Sequence, residues 1–133
     1  MQFCLITVFY NPSNADIQSF LKLSKIFKYS YCFLNSKITN SQKEALEKNS
    51  SVLGNCKNLG LSVAYNFQFE AVLKLPIDYV FIIDQDSRFE KEKLNILFKK
   101  VNLLNISQSK IGIYSLYPLI DQKKPASKKN IEF

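Results

Sequence analysis

The chain has 133 residues, of which 47% are hydrophobic and 14% aromatic, enough to fill one core. Histidine is absent, which excludes Ser-His and Cys-His nucleophile pairs and the usual zinc ligand sets, and leaves carboxylates, a metal, Tyr or Lys for any chemistry. The net charge of +7 is almost wholly lysine, with Arg88 the only arginine, so the arginine forks of a nucleic-acid reader are missing.

Gln2 to Phe9 is an apolar run that predicts a buried strand, stopped by the turn residues Tyr10-Asn11-Pro12-Ser13. Ser13 with Asp16 fits a capping box, and Ile17, Phe20, Leu21, Ser24 and Phe27 recur at helical spacing as one buried stripe. Tyr29 to Leu34 predicts the second strand, ending at Asn35-Ser36, and Ser41 to Glu44 a second capping box opening a short helix to about Lys48. Ser51 to Cys56 reads as a weaker third strand. Leu61 to Leu73 reads as a helix with Ala64, Phe67 and Ala71 toward the core, broken at Pro76.

Tyr79 to Ile83 is continuously apolar, as expected of a central strand covered on both faces, and it ends in Asp84-Gln85-Asp86. If the backbone stays extended through Gln85, both acids project to one side, because strand side chains repeat every two residues. Two hard carboxylates at the open end of a buried strand suit Mg²⁺ or Mn²⁺ and, through the ion, diphosphate oxygens. The competing reading is structural: Ser87-Arg88-Phe89-Glu90 also fits a capping box. A fourth helix is expected over about Phe89 to Leu103, marked by Phe89, Leu94, Leu97 and Val101, and a last strand over Ile111 to Leu116. The expected fold is α/β, a mostly parallel sheet with helices on both faces, over residues 1–120, with 121–133 as a lysine-rich tail.

Three widely spaced cysteines, no apolar run of membrane-spanning length and no secretion signal at Met1-Gln2-Phe3-Cys4 favour a reducing, cytoplasmic setting. The lysines read as solvated helix faces, with peripheral attraction to an anionic membrane surface as a secondary expectation.

Four segments resemble the N-terminal half of a family 2 glycosyltransferase of the GT-A fold, of the rhamnosyltransferase-like kind. They are Ile6-Thr7-Val8-Phe9-Tyr10-Asn11-Pro12, Phe33-Leu34-Asn35-Ser36, Asn58-Leu59-Gly60 through Asn66, and Ile83-Asp84-Gln85-Asp86-Ser87, which is similar to that family's DXD box. The resemblance covers residues 3 to about 118 and implies a Rossmann-like, nucleotide-diphosphate-sugar-binding domain. It implies inverting transfer of a sugar, such as rhamnose from dTDP-rhamnose, to a polysaccharide or lipid-linked acceptor. By the same resemblance Asp86 is the direct metal ligand and Asp84 holds the ribose or a metal-bound water. Tyr10, Asn11 and Asn35 flank the base, and Asn58, Gly60 and Asn66 lie beside the donor.

The sequence departs from that pattern in two places. Leu34 or Asn35 stands where the family has a base-reading aspartate. The carboxylates after Asp86 are Glu90, Glu92, Asp121 and Glu132, and none is assigned as the base that deprotonates an acceptor. The expectation is therefore a donor-binding half that binds nucleotide sugar with little or no transfer. Two other readings stand beside it. One is a degenerate domain that associates with a partner through an unfinished sheet edge. The other is a nucleotidyltransferase, disfavoured because the Tyr10 to Asn14 loop has no glycine or lysine to hold a triphosphate.

Overall fold

The computed structural model describes residues 1–107. Its elements are β1 (Phe3–Phe9), α1 (Asn14–Ser24), β2 (Tyr29–Leu34), α2 (Asn40–Glu47), β3 (Ser51–Leu53), α3 (Leu61–Val72), β4 (Tyr79–Ile82) and α4 (Lys91–Ser107). The strands pair in the order β3-β2-β1-β4, all parallel, as the alternation of strands and helices predicts. Met1–Asn95 forms one compact unit, and the residues from Ile96 onward belong to a second. Of that second unit the described part is the α4 stretch through Ser107, where Ile96 and Leu103 are exposed. The expected strand Ile111 to Leu116 and the 121–133 tail lie outside the described residues.

Among the described strands β1 and β2 are flanked on both sides, and β4 is not. The β1 residues Cys4 through Phe9 are all buried, whereas Tyr79, Val80 and Phe81 are half-buried and Ile82 is exposed. Alternation splits β1 between two layers. Cys4, Ile6 and Val8 face α3, packing with Val72 and Ala64 and with Tyr29, Tyr31 and Phe33 of β2. Leu5, Thr7 and Phe9 face the other way, where Phe9 meets Phe20 of α1 edge to face at 5.5 Å. On that same side α2 is tied to α1 by Gln42 Nε2 donating to Asn14 Oδ1 at 2.7 Å.

The α1 stripe forms as its spacing predicts, with Ile17, Phe20, Leu21, Ser24 and Phe27 all buried, and Ser13 and Asp16 close their capping box. The second box uses Thr39 and Gln42 rather than Ser41 and Glu44, because Thr39 holds the extended cap conformation while Ser41 is already helical. The third strand is cut to Ser51–Leu53 by Gly54 and Cys56, both in left-handed backbone at φ 86° and 62°. In α3 the buried face is Ala64, Gln68 and Val72, one residue away from the expected Phe67 and Ala71. Gln68 takes a core position because its Nε2 donates to the carbonyls of Thr7 and Tyr31.

Candidate functional site

At the carboxyl ends of the strands, an open cavity of about 310 Å³ is lined by Val8, Tyr10, Asn35, Asn58, Leu61, Tyr65, Asp84 and Gln85. Its place follows from the strand order. The chain runs outward from β1 through β2 to β3, then returns to lay β4 on the opposite side of β1. The loops after β1 and β4 therefore end side by side at this edge, and the cavity opens beside them toward Asn35, Asn58 and the start of α3.

The acids reach this edge by a route different from the one the alternation predicts. The β4 ladder ends with the Ile83 amide donating to the Ile6 carbonyl at 3.1 Å, and the Ser87 amide then bonds back to the Asp84 carbonyl at 3.0 Å. Asp84 to Ser87 is thus a β-turn, and the backbone does not stay extended through Gln85. Asp84 occupies the first turn position and lines the cavity; Asp86 occupies the third, is exposed, and lies outside the lining. The turn also displaces the alternative capping box: Ser87 donates within the turn, and α4 starts later, at Lys91, with the Leu94 amide bonded to the Glu90 carbonyl.

Gln85 fixes the turn to the first loop. Its Oε1 accepts from the Tyr10 amide at 2.8 Å and its Nε2 donates to the Tyr10 carbonyl at 3.0 Å, a side-chain imitation of one more step of ladder. Thr7 Oγ1, in the core, donates to the Ile83 carbonyl at 2.9 Å just before the acids. Asn11 sits at φ 46°, a conformation asparagine tolerates well, with its amide donating to Ser36 Oγ at 2.7 Å. The Tyr-Asn-Pro loop is therefore shaped by backbone demands, and Tyr10 is left about half exposed at the cavity wall.

The opposite wall is an asparagine pair. Asn35 is buried; its Oδ1 accepts from the Leu59 amide at 2.8 Å and its Nδ2 donates to Asn58 Oδ1 at 3.3 Å. Asn58 Oδ1 also accepts from the Gly60 amide at 3.0 Å, and Gly60 at φ 82° begins α3 with no side-chain cap. Tyr65, half-buried on the first turns of α3, has its phenol pKa raised, first by burial and then by the Asp84 carboxylate. Of the expected residues, Tyr10, Asn35, Asn58 and Asp84 come together on the cavity. Asn11 and Gly60 shape its loops, and Asn66 and Asp86 are exposed outside the lining.

Asp84 and Asp86 are hard carboxylates of the kind that hold Mg²⁺ or Mn²⁺ with water and phosphate oxygens completing the shell, but Asp84 alone of the two lines the cavity. Ion pairs join Met1 to Asp78, Lys43 to Glu47, Arg88 to Asp16 and Lys93 to Glu90, and among the described residues no cation pairs with Asp84 or Asp86. Among the described residues no group of three or more cysteine, aspartate or glutamate side chains is placed to hold a metal ion.

The sequence assigns no site role to Gln85, Arg88 or Leu61, and reads Tyr65 as packing rather than as a sugar-stacking ring. The usable signals were small: an amide lodged between two acids, and a lone arginine two residues after them. No helix among the described residues is long and apolar enough to cross a membrane. No protein-family model, curated protein or solved structure matches the chain.

Proposed function

We propose that this domain binds the nucleoside-diphosphate part of an activated sugar, as the donor half of an inverting, family 2-like glycosyltransferase. The observation that carries the reading is the pairing of Tyr10 and Asp84 across the order reversal of a parallel sheet, over a cavity of about 310 Å³. In that cavity the Tyr10 ring offers a face to a base or sugar, and the asparagine pair offers a second amide N–H on Asn35 beyond the one given to Asn58. The Asp84 carboxylate accepts from a ribose hydroxyl or a metal-bound water. A Mg²⁺ or Mn²⁺ held by Asp86 and Asp84 would offset the charge that collects on a departing diphosphate.

Transfer to a polysaccharide or lipid-linked acceptor also needs a base. Glu90 is paired with Lys93 and Glu92 is exposed in the first turn of α4, so neither is proposed for that role. The reading is of donor binding. Isothermal titration of UDP, GDP and dTDP with and without Mn²⁺ tests it: at least one gives metal-dependent heat that Asp86→Ala abolishes, and no metal-dependent heat with any of the three removes the reading. A second reading, association with a partner, is favoured by the exposed apolar residues Leu61, Val63 and Phe67 on α3, at 57%, 41% and 50% exposure. Light scattering on the same samples separates it, since that reading predicts self-association or complex formation without nucleotide affinity.

A further inference from the structure

The four-residue turn that carries both acids has no helix or strand of its own to hold it, yet it is bonded at almost every backbone carbonyl. Arg88 extends its two terminal nitrogens in different directions. Nη1 donates to the carbonyls of Gln85 at 3.3 Å and Ser87 at 3.0 Å, while Nη2 donates to Asp16 Oδ1 at 2.6 Å. Asp16 is itself buried and anchored, its Oδ2 accepting from the Ser13 amide at 2.9 Å and the Ser13 hydroxyl at 2.7 Å. Ser19 Oγ of α1 adds a further bond to the Ser87 carbonyl at 3.3 Å. With Gln85 clasping both backbone groups of Tyr10, the acid turn is fastened to the β1–α1 segment at three points, through the Tyr10 backbone, through Asp16 and through Ser19.

We propose that Gln85, Arg88 and Asp16 act as positioning residues for the Asp84–Asp86 pair, a clamp that fixes the turn against the start of α1 and keeps the one guanidinium away from the acids. The second half of this follows from charge. Arg88 stands two residues from Asp86, and a free guanidinium there would seek a carboxylate and compete with a divalent ion. Asp16 removes that competition by occupying the fork, and the capping box holds Asp16 in place whether or not a ligand is present. The inference rests on the donor-site reading for what the acids do, but the clamp itself is a matter of hydrogen bonds already in place.

The experiment pairs metal affinity with amide exchange in the intact chain and in Arg88→Ala, Arg88→Lys, Asp16→Asn and Gln85→Leu. The probes are Mn²⁺ alone and Mn²⁺ with UDP. Removing an outer partner of a metal ligand commonly weakens binding about 10- to 100-fold, and that loss is expected for Asp16→Asn, Arg88→Ala and Gln85→Leu, with Arg88→Lys in between because it keeps the charge without the fork. Melting curves report whether each variant folds. Loss of Mn²⁺ affinity in a variant that is still fully folded at the titration temperature is what a merely structural bond would not produce. Equal Mn²⁺ affinity in folded variants and the intact chain overturns the proposal. If the intact chain binds neither probe, the donor-site reading falls by itself. The clamp is then decided by exchange: faster exchange at the Tyr10 amide in Gln85→Leu and at the Ser87 amide in Arg88→Ala supports it, and unchanged exchange at both overturns it.

Discussion

Asp16 joins a buried helix start to a half-exposed arginine, and its carboxyl is held below the usual carboxylate range, chiefly by the hydrogen bond from Arg88 and then by that from Ser13. Burial pulls the other way and loses. A carboxylate whose folded pKa lies below its unfolded one stabilises the fold fully above the unfolded value, and that stability is lost as pH falls through the folded value. For Asp16 the loss therefore begins near its ordinary value of 3.8 and continues below it. Asp16→Asn is expected to lower unfolding free energy by about 1 to 2 kcal/mol at pH 7, the scale of a charge-assisted bond discounted for the exposure of Arg88. The gap between variant and parent should narrow at pH 3, and urea melts at the two pH values measure it. Cys4 and Cys32 mark the opposite case: burial pushes the Cys4 thiol up to about 11, and burial first, against a hydrogen bond with Ser50 and aided by the Glu47 charge, pushes Cys32 up to about 12, so both sit in the core as neutral hydrophobes.

The elements differ in how far their residues announced them. The α1 helix and the β1 and β2 strands were legible because one signal dominated each: a capping box with a regular stripe for α1, and unbroken apolar runs for the strands. The third strand and the acid turn were not, because left-handed backbone and side-chain-to-backbone bonds override pattern there. Gly54 shows why β3 stops. At φ 86°, a Cβ on Gly54 would stand 2.7 Å from the Leu34 carbonyl oxygen and 2.9 Å from the Phe33 ring. Gly60 has a similar φ of 82° but nothing within 4 Å of its would-be Cβ. Alanine at Gly60 should thus cost only the backbone conformation, about 1 kcal/mol, whereas alanine at Gly54 adds a steric clash and should cost about 2 to 3 kcal/mol or prevent folding. Denaturant midpoints of the two variants test the ordering, and equal losses would contradict it.

At the scale of the whole molecule, the parallel α/β architecture was legible from alternation alone, while the position of the acids within it was not. The apolar run of β4 suggested the central strand. Yet β4 is half-buried among the described residues, and β1 lies between β2 and β4 because the chain turns back across it. That reversal, more than burial of the acid-bearing strand, brings Tyr10 and Asp84 to one cavity. The expected cluster came together in part: Tyr10, Asn35, Asn58 and Asp84 line it, while Asn66 does not, since α3 turns Ala64 and Gln68 inward and leaves Asn66 outside.

Paramagnetic broadening of backbone amide signals by Mn²⁺ in the presence of UDP, GDP or dTDP locates the ion directly on the intact chain. Loss of signal centred on Asp84 to Ser87 and reaching Tyr10 and Asn35 is the predicted result. Broadening that leaves this turn untouched while affecting other surface acids such as Glu44, Glu47 or Glu70, or no broadening with any of the three nucleotides, would contradict the proposal that the cavity at the carboxyl ends of β1 and β4 is a donor site.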